Sequence, residues 1–189
     1  MLAGWPVVPL ARTSSLLRVP ITLPRAVQRS GAELLHVQYN APPVSPCPFV
    51  VSVHDVGWVT HPQFFTPGMR SRLALLTPNT LRRARRVFAL TQAIAEEISE
   101  VYGTPLDRID VVSPAVDPVF SPNHADSEIE AARHRYHLPE QFVLYTGALQ
   151  PRKNLTRLAT AFSRLVKKGL PHTLVIAGRR AWLHKGMLE

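Results

Sequence analysis

The 189-residue chain has a single cysteine, Cys47, so no intrachain disulfide and no CxxC metal site can form, and a reducing compartment fits. No stretch approaches the roughly 18 consecutive apolar residues that a membrane-spanning helix needs. Glycine is sparse, at nine residues. None of the motifs that use it to cradle phosphate or expose a nucleophile occurs: there is no GxxxxGK[ST], no GxGxxG and no GxSxG, and HExxH is missing as well. The acidic DxD pattern, which could hold a divalent cation on a diphosphate, is also absent, since Asp107 and Asp110 are spaced one residue too far. The segment before Arg12 carries two prolines and no basic residue, a poor signal peptide, so the expected location is the cytoplasm.

What is present is the profile of a folded protein: 46% apolar and 19% charged residues, with a mean hydropathy of zero. Disorder and collagen-like repeats are excluded. At about 100 to 200 residues per domain, the length allows one complete domain or two incomplete ones. The 22 basic and 13 acidic residues leave a net charge of +9. Split at residues 60 and 120, the basic minus acidic counts are 4−2, 7−6 and 11−5, so the excess lies mostly in the last third. A polyanionic partner there and a solvated basic surface both fit that asymmetry.

From about residue 34, short apolar runs alternate with helical patterns, as in βα units on a parallel sheet. The expected strands are Leu34 to Tyr39, Phe49 to His54, Val87 to Thr91, Ile109 to Ser113, Phe142 to Thr146 and Thr173 to Ala177. Their continuous apolar character implies burial on both faces. A helix is expected after Asn154, with Asn154 as N-cap and Gly169 as the stop, because Leu155, Leu158, Ala159, Phe162, Leu165 and Val166 recur at three-to-four spacing. A second runs from about Gln92 to Tyr102 between Thr91 as cap and Gly103. The stretch Gly68 to Arg86 also reads as helical, with Pro78 expected to kink or divide it. Pro114 to Asp126, with three prolines and no periodicity, is the best domain boundary.

Two places could carry chemistry. The strand from Phe49 runs into His54-Asp55, and ligands of open parallel sheets bind beyond the carboxyl ends of the strands. Imidazole can donate or accept a hydrogen bond near neutrality, and a neighbouring carboxylate can fix a loop or an orientation; for a His-Asp pair taken by itself, a buried polar turn is the more common origin. The second place joins the strand ending at Thr146 to the helix after Asn154 through Gly147-Ala148-Leu149-Gln150-Pro151-Arg152-Lys153. A strand, a glycine turn and a helix N-terminus with two adjacent cations make an anion site, although two surface cations ahead of a helix would look the same. Arg82-Arg83 and Arg85-Arg86 could touch phospholipid or nucleic acid, but their alternation with Leu81, Ala84 and Val87 suits an exposed helix face.

Together these residues resemble glycosyltransferase family 4, the retaining GT-B enzymes. The landmarks are His54-Asp55 followed by Gly57-Trp58-Val59-Thr60-His61-Pro62-Gln63-Phe64-Phe65, then Leu90-Thr91-Gln92, Val112-Ser113-Pro114-Ala115-Val116-Asp117, Gly147 to Asn154, and Val175-Ile176-Ala177-Gly178. The resemblance implies an α/β fold of GT-B type, with parts of two Rossmann-like domains on parallel sheets, both incomplete. Residues 1 to 120 would be the C-terminal part of the acceptor-side domain, and residues 121 to 189 the N-terminal part of the donor domain.

It also implies roles. His54 would contact the transferring sugar or acceptor, and Asp55 would orient that loop. Gly147, Arg152, Lys153 and Asn154 would bind the diphosphate of a UDP- or GDP-linked sugar without a metal or other cofactor. Thr91, Asp117 and Gly178 would line the cleft between the domains. The partners implied are a nucleotide-sugar donor and a glycan or lipid-linked acceptor, with peripheral contact at the inner membrane face and no nucleic acid. The paired glutamates eight residues apart and the glycine-rich N-terminal loop of the family are missing, and Ala148 and Ala115 depart from its usual residues. The chain is therefore expected to be a central portion of a transferase with impaired activity by itself. A noncatalytic phosphate- or polyanion-binding module is the alternative.

Overall fold

Short apolar runs gain most by pairing with one another, and among the described residues six strands form, all paired in parallel. A computed structural model describes residues 6–10, 14 and 17–182. Two compact units separate: the first takes the described residues up to Pro62 together with Pro67–Pro114, and the second takes Gln63–Thr66 and the described residues from Ala115 onward.

The first unit holds strands β1 (Leu35–Gln38), β2 (Phe49–Val53), β3 (Val87–Ala89) and β4 (Ile109–Val111), paired in that order and all parallel. Val37 pairs with Val51, Val51 with Val87, and Val87 with Ile109. Ahead of β1, a π-helical turn (Arg18–Thr22) leads into α1 (Leu23–Ser30), which ends on Gly31 at φ 68°. Beyond β2 come α2 (Gly57–Thr60) and α3 (Pro67–Arg83), and between β3 and β4 lies α4 (Gln92–Tyr102). The core is the middle of the sheet with the helices laid on it: Val51, Val53, Val87, Ala89 and Ile98 are fully buried, and Trp58 and Leu81 nearly so. Each of the four strands lies where the sequence places it, with β1 one residue shorter at both ends and the others one or two residues shorter at their C-terminal ends.

Helix α4 follows its sequence signals. Thr91 Oγ1 accepts the Ile94 N–H at 3.3 Å, and Gly103 ends the helix at φ 64°, where a side chain would be strained. Helix α3 does not: it runs unbroken through Pro78. Pro78 sits on the exposed side, so the carbonyl of Ala74 that loses its i+4 donor can turn to water, while Thr77, Thr80 and Leu81 stay buried.

Two of the four arginines at the end of α3, Arg83 and Arg86, are drawn into the fold, while Arg82 and Arg85 stay exposed. Arg83 donates to the Pro42 carbonyl at 3.1 Å and lies over the Phe49 ring. Arg86 grips both oxygens of Asp110 and also donates to the Asp107 carbonyl. The Asp110 carboxyl is held below its usual range chiefly by that hydrogen bond, and the Arg86 guanidinium is raised by the same contact. Arg108 adds hydrogen bonds to the carbonyls of Leu81 and Ala84, placing a cation at the negative end of α3.

The second unit contains α5 (Asp126–Arg135), β5 (Phe142–Thr146), α6 (Leu155–Val166) and β6 (Thr173–Ala177), with β5 and β6 paired in parallel. The expectation of strands buried on both faces already fails at the edge strands β1 and β4, which hold one buried residue each, and it fails again here: Val143 and Leu144 of β5 are 43% and 51% exposed, and neither strand contains a buried residue. A two-stranded sheet has too few layers around it to cover both faces, whatever its composition. Helix α6 ends as its sequence suggests. The Leu170 N–H reaches the Leu165 carbonyl and the Gly169 N–H that of Val166, with Gly169 at φ 97°.

Candidate active site

In the first unit the chemistry gathers at the carboxyl ends of β1 and β2. Strand β2 delivers His54 half-buried, and Asp55 folds back so that its Oδ1 accepts the Gly57 N–H at 3.0 Å. That bond starts α2 and fixes the His54 loop. Trp58, 1% exposed on α2, donates its indole N–H to the Tyr102 hydroxyl at 2.9 Å. Burial pushes the Tyr102 hydroxyl up, and the bond from Trp58 partly offsets this.

Strand β1 delivers Tyr39, whose φ of 60° is uncommon for a residue with a side chain. This turn presents its ring edge-on to both His54 and Trp58, with centroids 5.5 Å away in each case. Two buried threonines of α3 hold the strand exit in that shape. The Thr77 hydroxyl donates to Asn40 Oδ1 at 3.1 Å, and the Ala41 N–H donates to Thr80 Oγ1 at 3.1 Å. His54 therefore stands against a wall built from Tyr39, Trp58 and α3. Sequence reasoning did not single out Tyr39, Thr77 or Thr80. The one signal available was an aromatic-amide pair, Tyr39-Asn40, at the carboxyl end of an apolar run. Thr91 is exposed and spends its hydroxyl oxygen on the α4 cap.

In the second unit, Gly147 and Gly178 meet backbone to backbone. The Gly147 N–H donates to the Ala177 carbonyl at 2.9 Å, and a Cβ built on Gly178 would stand 1.8 Å from the Gly147 carbonyl oxygen. Pairing continues beyond the strands, with the Leu149 N–H on the Arg179 carbonyl and the Ala181 N–H on that of Leu149. Leu149 and Leu155 are buried on either side of a 3₁₀ turn, Pro151–Lys153, which leaves Arg152, Lys153 and Asn154 exposed between them. The loop is thus fixed at both ends and basic at its tip.

Asn154 stands at the expected helix boundary but does not cap it. Its backbone is left-handed, at φ 53° and ψ 39°, to turn the chain from the 3₁₀ turn into α6, and its side chain makes no cap hydrogen bond. Beside this loop, two buried polar atoms have no hydrogen-bond partner, the Tyr145 hydroxyl and Gln150 Oε1. Asp117, also in the second unit, uses Oδ1 to accept the Val119 N–H at 3.0 Å, closing an exposed turn. The structure therefore brings together His54 with Asp55 in one unit, and Gly147 and Gly178 with the Arg152–Asn154 tip in the other. Among the described residues no three His, Cys, Asp or Glu side chains gather as metal ligands, and no helix is long and apolar enough to cross a membrane.

Comparison with known proteins identifies the family. The sequence profile of Glycosyltransferase Family 4 matches residues 2–120. The serotype-specific mannosyltransferase WbdA of Escherichia coli is 33% identical over 84 residues, 44% of this chain and 10% of that protein. The O-antigen chain mannosyltransferase B of Escherichia coli is 24% identical over 135 residues, 70% of this chain and 35% of that protein. The D-inositol 3-phosphate glycosyltransferase of Streptosporangium roseum is 36% identical over 86 residues, 44% of this chain and 19% of that protein. The chain thus spans between a tenth and about a third of these relatives. A glycosyltransferase structure from Rickettsia africae superposes over 91% of this chain and 54% of its own, with a TM-score of 0.51 at 12% identity, a likeness of fold. With an α/β fold of parallel sheets and a profile match over more than half its length, the chain belongs to Glycosyltransferase Family 4.

Proposed function

We propose that the chain carries acceptor-side and donor-side parts of a retaining glycosyltransferase that moves a hexose from a UDP- or GDP-linked sugar to a carbohydrate or lipid-linked acceptor. The names of the E. coli relatives make mannose the first sugar to test. Residues 1 to 120 serve the acceptor and residues 121 to 189 the donor. His54 meets the transferring sugar or acceptor, and Asp55 acts on it through the loop it fixes. Arg152 and Lys153 neutralise the diphosphate as it leaves, in place of a metal, because a cation positioned beforehand stabilises developing charge without reorganising. Asp117 and Thr91 act as lining groups, through the backbone turns they hold.

The observation that carries this reading is the tip of the 147–154 loop. Two cations are held exposed by buried anchors on both sides, next to a helix start that Asn154 leaves uncapped. A charge-assisted hydrogen bond is worth about 1.5 to 3 kcal/mol, roughly 10- to 150-fold in affinity. UDP or GDP is therefore expected to raise the melting temperature of the protein, and Lys153→Ala to weaken that nucleotide by about this factor and to cost about 10² to 10³ in turnover. Full binding and turnover in the variant would remove Lys153 from the mechanism.

The +9 charge, concentrated in the last third, favours a second reading as a noncatalytic binder of phosphate-bearing partners. Competition separates the two. Displacement of a bound polyanion by nucleotide-sugar at fixed ionic strength supports the transferase, whereas binding with a steep salt slope and no such displacement supports the alternative.

A further inference from the structure

The second unit is electrically lopsided. From Ala115 to Thr146 it carries two basic and five acidic residues, whereas from Gly147 to Trp182 it carries eight basic residues and no acidic one. Helix α6 lies within the second stretch, and its outer side gathers charge. Leu155 is buried and Leu158, Ala159 and Phe162 are half-buried, which turns Arg157 and Arg164, two turns apart and about 10 Å along the axis, to the opposite side. Lys167 and Lys168 follow on the turn that ends the helix. All four are exposed, and among the described residues none of them meets a carboxylate.

Helix stability does not account for Arg157. It stands in the first turn of α6, at the positive end of the helix dipole, and no acidic residue in that turn offsets it. Between the two guanidinium groups the helix presents Thr160 and Ala161, whose small side chains leave a furrow of about 540 Å³ bordered by Asn154, Thr156 and the two arginines. Alongside runs an apolar stripe, Leu158, Ala161 and Leu165, at spacings of three and four, with Leu165 50% exposed. Cations beside exposed hydrocarbon complement a bilayer surface, which offers anionic headgroups and apolar chains beneath them. Nucleic acid offers the charge, but neither Thr160 nor Ala161 can stack on a base.

We propose that the outer face of α6 docks the second unit on an anionic lipid bilayer, with Arg157, Arg164, Lys167 and Lys168 on the headgroup phosphates and Leu165 at the edge of the hydrocarbon. The contact does not rest on the transferase reading. It uses the flank of the helix, and the Arg152–Lys153 tip, which that reading gives to the diphosphate, is not part of the furrow.

The test is co-sedimentation of the full chain with vesicles of phosphatidylglycerol and phosphatidylcholine, against vesicles of phosphatidylcholine alone. Each cation near an anionic surface contributes about fivefold to partitioning. The paired variant Arg157→Gln with Arg164→Gln is therefore expected to bind anionic vesicles about 25-fold more weakly, with an unchanged melting temperature because both positions are exposed. Arg82→Gln with Arg85→Gln removes the same charge from exposed positions of the first unit and is expected to leave partitioning within about twofold of the parent. Equal loss in the two pairs would overturn the proposal by assigning the binding to net charge, and so would equal binding to the neutral vesicles. Tighter binding of a DNA duplex than of anionic vesicles at the same ionic strength, lost in the α6 variant, would overturn it in favour of a nucleic-acid face. Saturating UDP or GDP is expected to leave vesicle binding unchanged, and displacement by either would overturn the separation of this face from the loop. Vesicle binding without nucleotide binding would refute the transferase reading and leave this face standing, whereas nucleotide binding without vesicle binding would refute this face alone.

Discussion

Replacing Gly178 by alanine tests the construction of the 147–154 loop at its tightest point. The added carbon would stand 1.8 Å from the Gly147 carbonyl oxygen and 2.7 Å from its carbon, against a limit near 3.0 Å. Something must therefore move by at least about 1.2 Å, and both obstructing atoms are backbone, so no rotamer change relieves the contact. The movement would strain the Gly147 N–H bond to Ala177 and the Leu149 pairing beyond it, which together hold the loop. Overpacking of this kind costs about 1 to 3 kcal/mol where side chains can adjust, so a rigid backbone contact belongs at or above the upper end. For a domain of 60 to 100 residues, a loss of about 3 kcal/mol lowers the melting temperature by roughly 12 to 24 °C. Calorimetry resolving the unfolding of the second unit measures it directly. An unchanged transition, with Gly178→Ala binding UDP or GDP like the parent, would refute the close approach of these two strands and the loop geometry derived from it.

Other expectations follow from the first unit. Thr80→Val removes the hydroxyl that accepts the buried Ala41 N–H while keeping the volume, and is expected to cost about 1 to 3 kcal/mol in denaturant titration. If the wall behind His54 depends on that pin, the same variant also lowers turnover with substrate affinity preserved. Asp110→Asn is expected to lower the melting temperature at neutral pH, since the native carboxylate is paired with Arg86. Because the Asp110 pKa is depressed on folding, its contribution is fully present above the unfolded value and is lost as pH falls through the folded one. Parent and variant should therefore converge in acid below the usual aspartate range, and a difference that persists there would show that the loss came from packing.

The parallel strands were legible because short, mostly apolar runs alternate with helical patterns along the chain. The α4 cap and stop were legible for a different reason: Thr91 and Gly103 satisfy local needs of a helix end, independent of tertiary surroundings. Pro78 misled because the cost of a proline depends on which way the helix faces, and the sequence pattern of α3 is too weakly amphipathic to show that side. Exposure of β5 and β6 was illegible for a related reason. Apolar composition records the burial a strand can take up, whereas observed burial depends on how many layers are laid against it.

At the site, the same division separates what local chemistry decides from what packing decides. His54-Asp55 could be found because strand ends are where ligands collect, and the bond from the Gly57 N–H to Asp55 spans two residues. Tyr39 could not, since its contact with His54 depends on its own left-handed backbone at the end of β1 and on Thr77 and Thr80, which come from far along the chain to hold Asn40 and Ala41. Arg83 and Arg86 read as surface charge until Phe49, Pro42 and Asp110 are brought beside them by the sheet. Positive charge in a sequence therefore does not identify the groups that meet a ligand. Here the fold consumes Arg83 and Arg86, while Arg152 and Lys153 stay exposed because Leu149 and Leu155 anchor the chain on either side of them.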